Sequence, residues 1–192
     1  DGLDNREGLT RDDFLYSRAV WDSVRANYLE NARALSFVDY FWTVRIMHAP
    51  MFLLSEITRN APPARLYHSI STGYAGLLGA YLSYAHGRPY VLTEHGIYTK
   101  ERRIDLTQAT WIKDAPAALG SGMEDDTSYV RRLWVRFFEG IGRLAYDAAD
   151  PITSLYEGNR LRQVADGAPE DRSVVVPNGI DHERFAPQRQ KR

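Results

Sequence analysis

The sequence predicts an α/β fold with a mostly parallel sheet flanked by helices. Short apolar runs alternate with longer runs of helical period, which is the order of parallel strands joined by helical crossovers. Within residues 64–93 a short run, a small-residue helix and a second short run follow one another, at about the length a parallel βαβ crossover requires.

Residues 1–10 read as a polar, acidic tail. Thr10 and Asp13 make a capping-box start, and Phe14, Trp21, Val24 and Tyr28 share a face, so a helix is expected over 11–34. Ser36 and Asp39 repeat the device. The run that follows to residue 57 holds Phe37, Phe41, Trp42, Ile46, Met47, Phe52, Leu53 and Leu54 and is expected to be mostly buried. Pro50 should kink or split it near His48, because proline lacks the helical donor and crowds the preceding turn.

After the breaker Ala61-Pro62-Pro63, a strand is expected over 64–68 and a helix over 73–86. Gly87 is its C-cap, and Pro89 forbids continuation, which leaves 90–93 as the next strand. Gly73, Gly76 and Gly79 recur every third residue inside that helix, as close-packing positions rather than a GxGxxG phosphate loop. Residues 96–123 lack a clean period and read as a long loop with a short helix over 106–111. From about residue 127 to 150, Val130, Leu133, Trp134, Phe137, Phe138, Ile141, Leu144 and Ala145 form the stripe of another long helix. A strand over 152–156, a helix over 158–166 capped by Gly167 and a strand over 172–176 complete the pattern before Pro177-Asn178-Gly179.

Composition excludes several functions. With 24 Lys+Arg against 25 Asp+Glu the formal net charge is -1, so no cationic surplus exists to neutralise a nucleic-acid backbone. Absence of cysteine excludes a disulfide framework, a thiolate metal site and a thiol nucleophile. No apolar run approaches the length of a membrane span, and the N-terminal residues are unlike an export signal, so a cytoplasmic location is expected. The histidines, His48, His68, His86, His95 and His182, are scattered without metalloprotease spacing, and no metal is expected. No G-x-S-x-G nucleophile elbow occurs either.

Ligands of open α/β sheets sit beyond the carboxyl ends of the strands, which singles out 68–72, 94–96 and 156–159. His95 is the candidate catalytic residue there, with Gly96 permitting close backbone approach; the alternative is a loop histidine bonded to nearby backbone. Glu94 could orient it, act as a base or contact substrate, or could be a surface or paired carboxylate facing the other way. His68, Ser69, Ser71 and Thr72 form a polar cluster at a helix start, suited to an anion or to capping. Tyr98, Lys100, Arg102 and Arg103 could hold a phosphate or acidic substrate, or simply be solvated.

The strings "FVDYFWTVRIMHAPMFLLSEI", "LTEHGIYTKERRIDL" and "VVVPNGID" together resemble the N-terminal domain of PelF-like glycosyltransferases, retaining GT-B enzymes of family four. The resemblance covers about 13–185. It implies a Rossmann-like, incomplete acceptor-side domain over 11–176 and, over 177–192, a hinge segment with Asn178, Gly179 and Asp181 that leads toward a C-terminal nucleotide-sugar domain. It further implies transfer of a hexose from a UDP-sugar to a growing exopolysaccharide with retained configuration, no metal and no cofactor besides that donor substrate. His95 matches the family histidine that hydrogen-bonds the donor sugar. Partners implied are the UDP-hexose, a saccharide acceptor and a membrane-embedded polysaccharide synthase complex, which would hold the chain at the inner face of the membrane.

The family's opening strand, glycine-rich loop and paired glutamates have no counterpart here, since Glu94 and Glu101 have the wrong spacing and setting for that pair. Inactivity of the chain alone and self-association through an uncovered sheet edge are therefore expected. Two other readings stay open: a non-catalytic interaction domain of GT-B fold in a synthase complex, and an unrelated α/β hydrolase using Glu94 and His95.

Overall fold

The computed structural model describes residues 10–112 and 129–179. Helices α1 (Arg11–Tyr16), α2 (Arg18–Asn31) and α3 (Phe37–Asn60) come first. The capping box forms as expected: the Asp13 amide donates to Thr10 Oγ1 at 3.1 Å and the Thr10 amide to Asp13 Oδ2 at 3.0 Å. The single helix expected over 11–34 is instead broken at Ser17, which is extended and accepts from the Val20 amide to cap α2. The aromatic face still packs as a unit on α3, with Phe14 5.0 Å from Phe52 and Tyr28 5.0 Å from Phe37.

Helix α3 departs from expectation in three ways. Ser36 starts it without a side-chain cap bond. The helix also runs unbroken through Pro50. The carbonyl that proline leaves without a donor belongs to Ile46 on the exposed side, where water can replace the partner. Finally, only four of its apolar residues are buried. Tyr40, Val44, Met47 and Leu54 face inward, while Val38, Trp42, Ile46, Leu53 and Ile57 are 40–60% exposed on the opposite side. A run that is apolar all round presents two stripes, and one helix layer covers only one of them.

Strand β1 (Tyr67–Ser69) is shorter and later than the expected 64–68, because the Ala64 amide donates to the Tyr67 hydroxyl instead of a ladder. Helix α4 (Gly73–His86) ends on Gly87 at φ 60°, the left-handed cap that the sequence predicts. Strand β2 (Tyr90–Glu94) follows. The segment expected to be a loop is helix α5 (Tyr98–Gln108), and residues 109–111, expected at the end of a short helix, are not helical. Arg131 donates to the carbonyls of Thr107 and Ala109, both at 2.9 Å, which satisfies the C-terminal turn of α5. Residues 113–128, including the expected helix start at 127, lie outside the described residues.

Helix α6 (Tyr129–Ala148) buries Val130, Trp134, Phe138, Ile141 and Ala145 as expected, although Leu144 is half exposed. Strand β3 (Ile152–Ser154), helix α7 (Glu157–Ala165) and strand β4 (Ser173–Val175) complete the chain. The four strands are all parallel, in the order β1-β2-β3-β4, which gives the Rossmann-like α/β fold.

Helices α4, α6 and α7 meet the sheet on the face that carries Tyr90 and Glu94. The glycines of α4 make that approach close. A Cβ at Gly79 would stand 2.3 Å from Tyr90 Cε2, and one at Gly76 2.9 Å from the Cβ of Ala145. Between α3, α4, α5 and α6 lies a core of Met47, Leu77, Leu106, Trp134, Phe138 and Ile141. Leu77 is fully buried there, a contribution of about 1.5–3 kcal/mol. On the other face of the sheet, His68, Val91, Thr93, Thr153 and Val174 are exposed or half-buried. Among the described residues no helix is long and apolar enough to cross a membrane.

Candidate functional site

Glu94, Ser154 and Val175 lie level at the carboxyl edge of the sheet, and Ser69 ends two residues lower beside Leu92. Helices α4, α5 and α7 all begin just past this edge. Their N-cap residues, Thr72, Ile97 and Tyr156, supply no side-chain cap. Three helix starts thus lie at the rim without a side-chain cap, with Glu101 in the first turn of α5 and Glu157 in that of α7.

His95 leaves β2 at this rim and is exposed. Its carbonyl accepts from Asn159 Nδ2 at 3.2 Å, and Asn159 is itself buried in the first turn of α7. Among the described residues its imidazole meets no hydrogen-bond partner, so the ring is available to a ligand. At Gly96 a Cβ would stand 2.2 Å from Glu101 Oε1, so the close approach expected there is made by a carboxylate of the chain itself.

Glu94 points the other way and is fully buried, not on the surface. Its Oε1 accepts from the Thr72 hydroxyl at 3.0 Å, and its Oε2 accepts from the Tyr146 hydroxyl at 2.7 Å and Gln163 Nε2 at 3.0 Å. All three donors are neutral. Burial, followed by the charge of Glu94, holds the Tyr146 hydroxyl far above its ordinary pKa, so it stays a donor. Nearby, burial pushes Tyr90 up to about 12, with its hydrogen bond to Ser69 opposing.

The polar cluster expected over 68–72 is divided by the pleat. Ser69 is buried, with its hydroxyl 2.6 Å from the Tyr90 hydroxyl, and Thr72 serves Glu94 rather than α4. Ser71 donates to the Thr72 carbonyl. His68 stands on the opposite sheet face, where Nε2 lies 3.0 Å from Thr93 Oγ1, itself 2.7 Å from Thr153 Oγ1. The Tyr98 ring packs over Gly73 and edge-on to Phe138, with the Arg102 guanidinium 5.2 Å above it. Arg102 pairs with Asp105 at 3.1 Å, Arg103 pairs with Glu139, and Lys100 is exposed on α5. Asn178 and Gly179 are exposed beyond β4, and Asp181 lies outside the described residues. No group of three or more metal-ligating side chains occurs among the described residues.

A family model described as "Domain of unknown function (DUF3492)" matches residues 2–171, which takes in every element from α1 to α7. The chain belongs to the DUF3492 family. That family has no assigned function and is associated with glycosyltransferases. No curated protein matches the chain.

In this DUF3492 chain, sequence reasoning missed Tyr146, Gln163 and Asn159. A signal was present for the first two. Strand alternation puts Glu94 on the face of Tyr90 and Leu92, and a carboxylate on an apolar face requires buried donors. No local pattern says that α6 and α7 supply them, because Tyr146 and Gln163 are 52 and 69 residues away. Asn159 lies within the stretch 156–159 that the strand-end rule singles out, although its partner, the His95 carbonyl, has no sequence mark.

Proposed function

We propose that the chain is the acceptor-side part of a PelF-like retaining glycosyltransferase, which moves a hexose from a UDP-sugar to a growing exopolysaccharide. The observation that carries this reading is His95: an exposed imidazole at the end of a parallel strand, without a hydrogen-bond partner among the described residues, with its backbone pinned by Asn159 and three helix starts without a side-chain cap around it. Membership of a glycosyltransferase-associated family supports it, as do the resemblance of "LTEHGIYTKER" to PelF-like sequences and that of "VVVPNGID" to the wider glycosyltransferase family.

In this role the imidazole hydrogen-bonds a hydroxyl of the donor sugar and holds the ring in its reactive orientation. The bond from the anomeric carbon to the diphosphate breaks, a bond to the acceptor oxygen forms on the same face, and the acceptor proton leaves with the diphosphate. The nucleotide half of the donor belongs to another domain, and the saccharide acceptor and a membrane-embedded polysaccharide synthase complex at the inner face are the partners of the reading. Turnover of UDP-hexoses by the protein that carries this domain tests it. His95→Ala should lower kcat/KM roughly 10- to 1000-fold, the scale of one lost transition-state hydrogen bond. Unchanged kinetics would remove the histidine from the mechanism.

The exposed stripe Val38, Trp42, Ile46, Leu53 and Ile57 favours a second reading, a non-catalytic interaction domain of the same fold. Binding of UDP-hexose with no turnover, or neither, in the intact protein would select it.

A further inference from the structure

We infer that Glu94 is the positioning residue of the strand-end site, a buried side chain whose three hydrogen bonds set where His95 stands and keep the start of α4 open. This deepens the glycosyltransferase reading and rests on it for the identity of the ligand. Glu94 is the last residue of β2, and its carboxylate joins that strand to Thr72 before α4, Tyr146 on α6 and Gln163 on α7. One side chain therefore locks four elements together directly beneath the rim. The peptide that follows is held from the other side by Asn159 on the His95 carbonyl. His95 thus leaves a strand end fixed at two consecutive residues.

The chemistry of the node argues against simple packing. A carboxylate stripped of water and given only neutral donors is a costly way to fill volume, and an apolar side chain of similar size would fill it at less cost. What the carboxylate does and an apolar side chain could not do is turn the Thr72 hydroxyl inward. That hydroxyl is the natural cap of α4, and with it engaged by Glu94 the first turn of α4 remains uncapped at the rim. The carboxylate also sets the amide of Gln163, whose Nε2 faces Glu94 while its buried Oε1 has no partner. Glu94→Gln is therefore a mild change that acts at Thr72: its carbonyl oxygen in place of Oε2 still accepts from Tyr146 and Gln163, while its NH2 in place of Oε1 takes the acceptor away from the Thr72 hydroxyl and frees it toward the first turn of α4.

The test is NMR of the His95 imidazole and of the α4 first-turn amides in Glu94→Gln in the full chain, with UDP-hexose turnover followed in parallel in the intact protein. The expected result is a folded variant whose His95 and α4 first-turn signals are displaced while those of His86, at the far end of α4, are not. In turnover, kcat should fall about ten-fold or more with donor KM changed less than about two-fold. His95 signals that coincide with the wild type would overturn the inference, as would losses in kcat that merely track the folded fraction. If Glu94→Gln does not fold, Tyr146→Phe removes one donor with the ring retained, and the same two outcomes decide. Absence of UDP-hexose turnover in the intact wild-type protein would overturn the glycosyltransferase reading alone, because displacement of the His95 signals by Glu94→Gln is read without any ligand.

Discussion

Gly79 of α4 lies against the Tyr90 ring of β2 so closely that a Cβ there would stand 2.3 Å from a ring carbon. The helix thereby comes down onto the sheet at the very strand that ends in Glu94 and leads into His95.

Gly79→Ala should destabilise the fold. Overpacking costs about 1–3 kcal/mol, the upper end applying against a buried ring, and the gain in helix propensity returns at most about 1 kcal/mol, so a net loss of about 2 kcal/mol is expected by urea unfolding. Gly140 in α6 is the control, because nothing lies within 4 Å of a Cβ placed there. Gly140→Ala should raise stability by up to about 1 kcal/mol.

Tyr146→Phe removes one of three donors to a carboxylate that no water reaches. A loss of about 1–3 kcal/mol is expected, read from the urea midpoint at constant slope. An unchanged midpoint would show that the Glu94 node is not strained by the loss of one hydrogen bond.

Stability should fall on the alkaline side. Burial raises Tyr74 and Tyr90 from 10.0 to about 12, and raises Tyr146 further. Above pH 10 the unfolded chain releases protons that the folded chain still holds, so the stability these groups contribute is full below pH 10 and declines as pH rises toward 12. Tyrosinate absorbance should accordingly rise in two stages, with exposed phenols first and the buried ones only as the fold opens. A single transition near pH 10 with the fold intact would contradict this.

Arg131→Met should loosen the end of α5. The guanidinium donates to the Leu106, Thr107 and Ala109 carbonyls, and its loss is expected to cost about 1–3 kcal/mol. Amide exchange over 106–112 should accelerate while that over 73–86 is unchanged.

What could be read in the sequence was the part written locally. Gly87 closes α4 because a left-handed residue is needed, and the Val130 to Ala145 stripe has one clear period. Helix α5 was hidden because only Thr99 and Leu106 are buried in it, and the Lys100, Arg102 and Arg103 run masks so thin a stripe. Pro50 suggested a break that the exposed side of α3 does not enforce. At the site, the strand ends were visible and His95 stands where the parallel-sheet rule points. The Glu94 node was not visible, because its donors arrive from α6 and α7 only after the sheet has formed.

The strands lie along the sheet in the same order as along the chain, but their pairings do not close equal lengths of it. β1 with β2 and β3 with β4 each join residues roughly 20 apart, whereas β2 with β3 spans 60. The sheet therefore consists of two quickly made halves and one slow seam, which runs between Leu92 and Ile152. Pulse-labelled exchange during refolding should find the β1–β2 amides protected before that seam closes, and the Glu94 bonds to Tyr146 and Gln163 complete only afterwards.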